Sequence, residues 1–199
     1  MNVAPGSSAT PVWVNELGGV TWRLPGSYVK TGPGRHLPEA ERLTWLGTCD
    51  LPFAVPRVLS VGEDHLQTAS LTGAPPLHPA DPGAAAQALG RALRTFHDAV
   101  PVDQCPFVWS PLRGDEDLVV CHGDACPPNW LFGPALEFVG AVDLGSLGLA
   151  DRWVDIAPAL DCLPEDGMAG QEAEFLRGYG IEMDAEKYAF YLDKWNTTD

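Results

Sequence analysis

Residues 119–132 read VVCHGDACPPNWLF, and residues 141–145, after a further apolar run, read AVDLG. The apolar LVV leading into His122-Gly123-Asp124 has the character of a short strand, and Asp124 falls at its end, where a polar side chain can leave the core and face a cleft. Asn129, five residues on, can return to the same cleft across the CysProPro loop. EFVGAVDLG reads as a second strand paired with the first, bringing Asp143 alongside, and Gly145 lets the backbone turn sharply after it. Two carboxylates and a carboxamide are therefore expected at one point.

That donor set suits magnesium-dependent phosphoryl transfer. Mg2+ is a hard ion that takes oxygen ligands and keeps part of its water shell, so one carboxylate, one amide oxygen and the nucleotide phosphates are enough to hold it. The other Asp is then free to orient and deprotonate an acceptor hydroxyl. Protein kinases separate the base Asp from a metal-binding Asn by the same four residues and follow them with a later Asp-x-Gly. A lone HGD or DLG reads as an ordinary turn; it is the order and spacing of the set that reads as a site.

Upstream, VWVNELGG, VTWRL and SYVKTG are short β-type runs punctuated by Gly and Pro, as in an antiparallel meander. PEAERLTWLG follows as a short helix with Leu43 and Leu46 on one face, Glu39 and Arg42 off it, and Gly47 as its stop. PRVLSVGEDHLQTASLTG supplies two more strands around a turn at Gly62-Glu63-Asp64. Residues 80–99 form the clearest helix, with Asp81 at the N-cap, Pro82 in the first turn, and Ala85, Leu89, Leu93 and Phe96 at helical spacing. Residues 101–117 have turn composition, and DRWVDIAPAL, EAEFLRGYGI and EKYAFYLDKW read as closing helices.

Composition sets bounds only. A chain of 199 residues, 45% hydrophobic, is long enough for one large domain or two small lobes. Its net charge of −15, from 27 acidic against 12 basic residues, repels nucleic acid and attracts a polycationic small molecule, although an acidic surface also serves solubility alone. There is no apolar run of about 18 residues, and the start MNVAPGSSATPVW has no signal-peptide regions, so a cytoplasmic location away from membranes is expected. The five cysteines, Cys49, Cys105, Cys121, Cys126 and Cys162, form no CxxC pair and are expected to be reduced thiols. Cys121 and Cys126 flank the central loop with no paired base and read as packing residues.

HGDACPPN followed by VDLGSLGLADRWVDIA resembles the aminoglycoside phosphotransferase family, whose members carry HGDxxxxN and then D-x-G-x-x-G-x-x-D within a kinase-like fold. YVKTG resembles the family's lysine strand, PEAERLTWL the helix with its glutamate partner, and LRTFHDAVPVDQCPF the central helix with its CPF turn. The chain is most similar to the aminoglycoside 3'-phosphotransferases, shortened in the C-terminal lobe. The resemblance implies an α+β, protein-kinase-like two-lobed fold. Residues 1–73 would be an antiparallel-sheet, nucleotide-binding lobe, and residues 74–199 a mostly helical catalytic and substrate lobe.

It also implies roles. Asp124 would be the catalytic base, Asn129 and Asp143 the Mg2+ ligands, Lys30 the residue on the α and β phosphates of ATP or GTP, and Glu39 its ion-pair partner. Lys30 alone would read as a solvated lysine, and Glu39 alone as a first-turn glutamate. His122 would brace the loop, Asp151 and Asp155 would cap the helix DRWVDIA or anchor Arg152, and the adenine hinge would lie near Thr68 to Leu71. The implied activity is transfer of the γ-phosphoryl group of Mg-ATP to a hydroxyl of an aminoglycoside-type antibiotic, hence resistance.

The sequence departs from the family in three places. ELGGVTWRL has Gly18 and Gly19 but no full glycine-rich loop; only TGPGRHLP separates Lys30 from Glu39; and only VWSPLRGDED lies between the CPF turn and LVVCH, where the family inserts substrate-pocket helices. The pocket would then be open or completed by something else, such as a second copy, so monomer and homodimer both stay open. Acidic contacts for a polycation could come from Asp115, Glu116, Asp117, Glu165, Asp166 or Asp193. A kinase of another hydroxylated small molecule and a nucleotide-binding relative without acceptor activity are the alternatives, since fold alone does not fix substrate.

Overall fold

The β-type runs at the start form strands β1 (Thr10–Val14), β2 (Val20–Leu24) and β3 (Ser27–Thr31) in the computed structural model, which describes residues 8–15, 17–109 and 116–197. The helix α1 (His36–Leu46) follows, then β4 (Val58–Val61) and β5 (His65–Ala69), joined through Gly62-Glu63-Asp64. All neighbours in this sheet are antiparallel, in the order β1-β2-β3-β5-β4. The first three strands are the expected meander. β5 rather than β4 then pairs with β3, and β4 takes the sheet edge. Lys30 lies directly opposite Leu66 and therefore shares its face of the sheet.

α1 corrects one detail of the sequence reading. Its buried residues are His36, Glu39, Ala40, Leu43 and Leu46, so Glu39 lies on the leucine face and not beside it. The 3.6-residue period allows this, because positions 36, 39, 43 and 46 share one stripe. These elements form one compact unit, made of residues up to Asp50 together with Val55–Leu71.

The second unit comprises Leu51–Ala54 and Thr72 onward. Its long helix α2 (Pro82–Ala99) begins as expected, with the Asp81 carboxylate accepting from the Ala84 N–H at 3.0 Å and Pro82 in the first turn. β6 (Leu118–Cys121), β7 (Trp130–Phe132), β8 (Phe138–Ala141) and β9 (Gly148–Asp151) follow, then α3 (Trp153–Cys162), α4 (Glu172–Tyr179) and α5 (Ala185–Thr197). β6 does not pair with the strand of EFVGAVDLG. It pairs with β9, and β7 with β8, in two separate antiparallel ribbons. The segment LGLAD, not foreseen as a strand, is the partner that β6 uses.

Close helix packing in this unit depends on two glycines. A Cβ on Gly90 of α2 would run into the Phe175 carbonyl and the Tyr179 N–H of α4, and a Cβ on Gly178 of α4 would run into the Gln87 carbonyl of α2. The two helices meet backbone to backbone at these points. An aromatic cluster fills the core beneath β6 and β7: Phe53 stacks on Phe96 at 5.3 Å between ring centroids, Trp130 sets its edge to Phe96 at 5.6 Å, and His122 lies 5.3 Å from Trp130. Asp115, with the rest of residues 110–115, lies outside the described residues.

Candidate active site

β6 ends at Cys121, and the chain turns at once through His122, Gly123 and Asp124. Gly123 has φ +84°, and a Cβ there would collide with the Ser146 carbonyl, so this corner admits only glycine. His122 reads two backbones: its Nε2 bonds the Val142 carbonyl at 2.9 Å, and its Nδ1 accepts the Asp124 N–H at 3.3 Å. An Nδ1 that accepts leaves Nε2 as the N–H donor. His122 thus braces the loop, with the Phe96 and Trp130 rings packed against it.

Asp143 reaches the site although its strand does not pair with β6. Val142 is held on both sides, its N–H bonding the Asn129 carbonyl at 3.0 Å and its own carbonyl accepting from His122. Asp143 itself has φ +60°, a left-handed conformation that is strained for a residue with a side chain. Asn129 donates Nδ2 to the Asp124 carbonyl at 2.9 Å, and the Trp130 indole N–H bonds the Ala125 carbonyl at 3.0 Å. The structure therefore brings Asp124, Asn129 and Asp143 together. Burial pushes the Asp124 carboxyl above its ordinary range, and the charges of Asp143 and Asp155 push the same way, against His122 and a hydrogen bond from Asn129.

Asp155 neither caps α3 nor anchors Arg152, as the sequence reading expected; it holds the loop. It is fully buried, and its carboxylate accepts from the His122 N–H at 2.6 Å, the Gly123 N–H at 2.8 Å and His97 Nε2 at 2.9 Å. His97 in turn bonds the Tyr179 hydroxyl through Nδ1 at 2.8 Å, and Arg152 donates to that hydroxyl at 3.0 Å. Burial pushes the Tyr179 hydroxyl well up despite Arg152, so it stays protonated and donates to His97. The chain of bonds runs from α4 through α2 to the loop.

Asp151 accepts the Trp153 N–H at 2.9 Å at the start of α3 and pairs with Lys187 at 2.6 Å. Arg152 is anchored by Asp117, at 2.8 Å, and not by Asp151 or Asp155. Sequence reasoning missed His97 and Tyr179. His97 lies four residues after Leu93, on the buried face of α2, and that spacing was the available signal. A buried group of His97, Cys121 and Asp155 is close enough to surround an ion, but hydrogen bonds already use both ring nitrogens and both carboxylate oxygens.

The expectation of five reduced thiols is also corrected: Cys126, inside the loop, and Cys162, the last residue of α3, form a disulfide with their Cα atoms 5.7 Å apart. No sequence motif announces a pair separated by 36 residues. Cys121 is fully buried, as a packing residue should be.

In the other unit Lys30 Nζ and Glu39 Oε2 pair at 2.7 Å, with the glutamate side chain 7% and the lysine 27% exposed. The short TGPGRHLP connection is sufficient because α1 begins at His36, before the expected start. Of the acidic candidates, Asp117 is committed to Arg152, Glu165 and Asp193 are exposed, and Asp166 is half-buried with its carboxyl raised by burial and by Glu165.

Comparison with known proteins agrees with this architecture. The profile of the phosphotransferase enzyme family (APH) matches residues 109–191. The aminoglycoside 3'-phosphotransferase of Streptomyces ribosidificus is 34% identical, over 86% of this chain and 87% of its own. Among solved structures, aminoglycoside-3'-phosphotransferase of type VIII superposes with a TM-score of 0.76 at 28% identity, covering 96% of this chain and 94% of that one. The Streptomyces rimosus phosphotransferase APH(3'')-Id, in complex with ADP and streptomycin, superposes with a TM-score of 0.73 at 25% identity, over 98% and 95%. The chain has their α+β, kinase-like fold.

Proposed function

The chain belongs to the phosphotransferase enzyme family of the aminoglycoside kinases, which are small-molecule O-phosphotransferases, and from that premise we propose that it moves the γ-phosphoryl group of Mg-ATP to a hydroxyl of an aminoglycoside-type antibiotic. The observation that carries this reading is the loop itself: Asp124, its carboxyl raised by burial and by Asp143, sits beside an Asn129 whose amide nitrogen is already committed. The free end of that amide is its oxygen. With the Asp143 carboxylate it makes a hard, all-oxygen donor pair that fits Mg2+. The bound ion supplies neutralisation of the phosphate charge.

In this reading Asp124 orients the acceptor hydroxyl and takes its proton, and a carboxyl held above its ordinary range is the better base for that step. Lys30, oriented by buried Glu39, is assigned to the nucleotide's α and β phosphates. His122 and Asp155 keep the loop that carries Asp124 fixed, so most of the rate gain comes from positioning and charge. The net charge of −15 favours a polycationic acceptor. Phosphorylation would add negative charge to a polycationic antibiotic, and resistance would follow from that change to the drug.

The test is coupled ADP release with Mg-ATP, using streptomycin and a panel of other aminoglycosides, with Asp124→Asn beside the wild type. Acceptor-dependent ADP release that falls at least about a hundredfold in the variant is expected. Nucleotide binding without turnover on any acceptor would overturn the reading.

A further inference from the structure

Helix α3 holds the loop at two points, and both are on the same face of the helix. Asp155 in its first turn accepts the N–H groups of His122 and Gly123, and Cys162 at its end is bonded to Cys126. Residues 155 and 162 are seven apart, two helical turns, which is about 10 Å along the axis. Three or four loop residues, from 122–123 to 126, span about the same length when extended. Asp124 lies between the two attachments.

The covalent attachment falls where the backbone has least to offer. Cys126 leads into Pro127 and Pro128, neither of which has an N–H to give, and the Cys126 carbonyl accepts the Asn129 N–H at 3.0 Å. Asn129 is next in line, and its own bonds reach Asp124 and Val142. A shift at Cys126 would move both Asp124 and Asn129.

We propose that the Cys126–Cys162 pair is a redox-operated positioning element of the phosphotransfer loop: closed, it clamps the segment carrying Asp124 and Asn129 to α3, and opened, it lets that segment loosen and slows transfer. This rests on the function proposed above for those two residues. A Cα separation of 5.7 Å suits a disulfide without backbone movement, so both states share one fold. Both cysteines are half-buried, within reach of a small reagent. Cys121, by contrast, is sealed in the core, where burial pushes its thiol well up and leaves it unreactive.

The closing step uses a low-molecular-weight disulfide as oxidant. One cysteine thiolate attacks it, forming a mixed disulfide and expelling one small thiolate, which takes up a proton. The second cysteine thiolate then attacks the protein-bound sulfur and expels the other small thiolate. Two electrons pass from the cysteine pair to the small disulfide, which leaves as two thiols. A small dithiol reverses the sequence.

The test uses the whole chain, prepared once with glutathione disulfide and once with dithiothreitol, beside Cys162→Ser under both conditions. Mass spectrometry after alkylation in denaturant, which opens the core and exposes Cys121, counts the thiols: three labelled in the closed form, Cys49, Cys105 and Cys121, and five in the open one. Opening is expected to lower kcat at least about threefold and to speed hydrogen exchange at residues 122–132. Cys162→Ser should match the open form under both conditions. A disulfide that only stabilised the fold would move the melting temperature and leave kcat alone. Equal kcat and equal exchange in both states, failure of the pair to close, or a redox response that survives Cys162→Ser would each overturn the proposal. If neither form turns over any acceptor, the functional reading fails, and the exchange rates at 122–132 still decide the clamp.

Discussion

Replacing Asp155 by Asn changes one atom in a fully buried carboxylate that accepts three hydrogen bonds, and the cost follows from counting them. With the amide oxygen placed where it meets His122 N–H and His97 Nε2, the new NH2 group faces the Gly123 N–H, donor against donor. Leaving that N–H unsatisfied costs about 1–3 kcal/mol, and two charge-assisted bonds become neutral at a loss of about 1 kcal/mol each. Relief from burying a charge offsets part of this, so a net destabilisation of about 2–4 kcal/mol is expected. Urea unfolding measures it, together with His97→Gln and the double variant. Because His97 and Asp155 share a bond, the two changes should couple by about 1 kcal/mol or more. kcat should fall by about a hundredfold as Asp124 shifts. A variant within about 0.5 kcal/mol of wild type, or strict additivity with His97→Gln, would refute the account of Asp155 as the loop's anchor.

Three further outcomes are expected. For Asp124→Asn, the folded carboxyl is held above the ordinary 3.8, so its contribution is fully present below about that pH and is lost as pH rises through the folded value; at pH 7 the charge is a cost. The variant should therefore be more stable than wild type at pH 7, with the gain vanishing in acid melts, and wild-type kcat/KM should show an acid limb above pH 3.8. Asp143→Gly and Asp143→Ala should both lose Mg2+-dependent nucleotide binding by calorimetry. The glycine variant should be the more stable by about 1 kcal/mol, because only glycine accepts φ +60° without strain; equal stabilities would contradict the backbone conformation. Gly90→Ala gains about 1 kcal/mol of helix propensity but must push apart the backbones of α2 and α4, and a net loss of about 1–2 kcal/mol in thermal unfolding is expected, where a gain would mean a wider helix spacing.

What was legible in the sequence was local. Strand and helix periods, the Asp81 cap, and the spacing of Asp124, Asn129 and Asp143 all depend on neighbours along the chain, whereas Lys30 and Glu39 were singled out by the family resemblance; the structure contains the elements and the cap, pairs Lys30 with Glu39 and bonds Asn129 to the Asp124 carbonyl. Pairing was less legible. LVVC and FVGA are both short apolar runs that fit any partner strand, and nothing local says that β6 takes β9 while β8 takes β7. The buried polar groups were least legible: His97 and Asp155 are 58 residues apart, Cys126 and Cys162 are 36 apart, and neither pair carries a spacing rule.

The two kinds of residue also act differently. Those found by spacing are the ones proposed to touch the reactants or their metal ion, and they are held in unfavourable states: a half-buried carboxyl at Asp124 and a left-handed backbone at Asp143. Those whose partners emerge only in three dimensions, Asp155, His97, Tyr179 and the cysteine pair, are what hold the loop in that arrangement. A strained backbone or buried charge persists only where the surroundings over-determine it. Loosening the support should therefore let Asp143 and Asp124 relax before the fold itself melts. Activity should be lost at lower denaturant concentration than global structure, and most clearly when the Cys126–Cys162 bond is open.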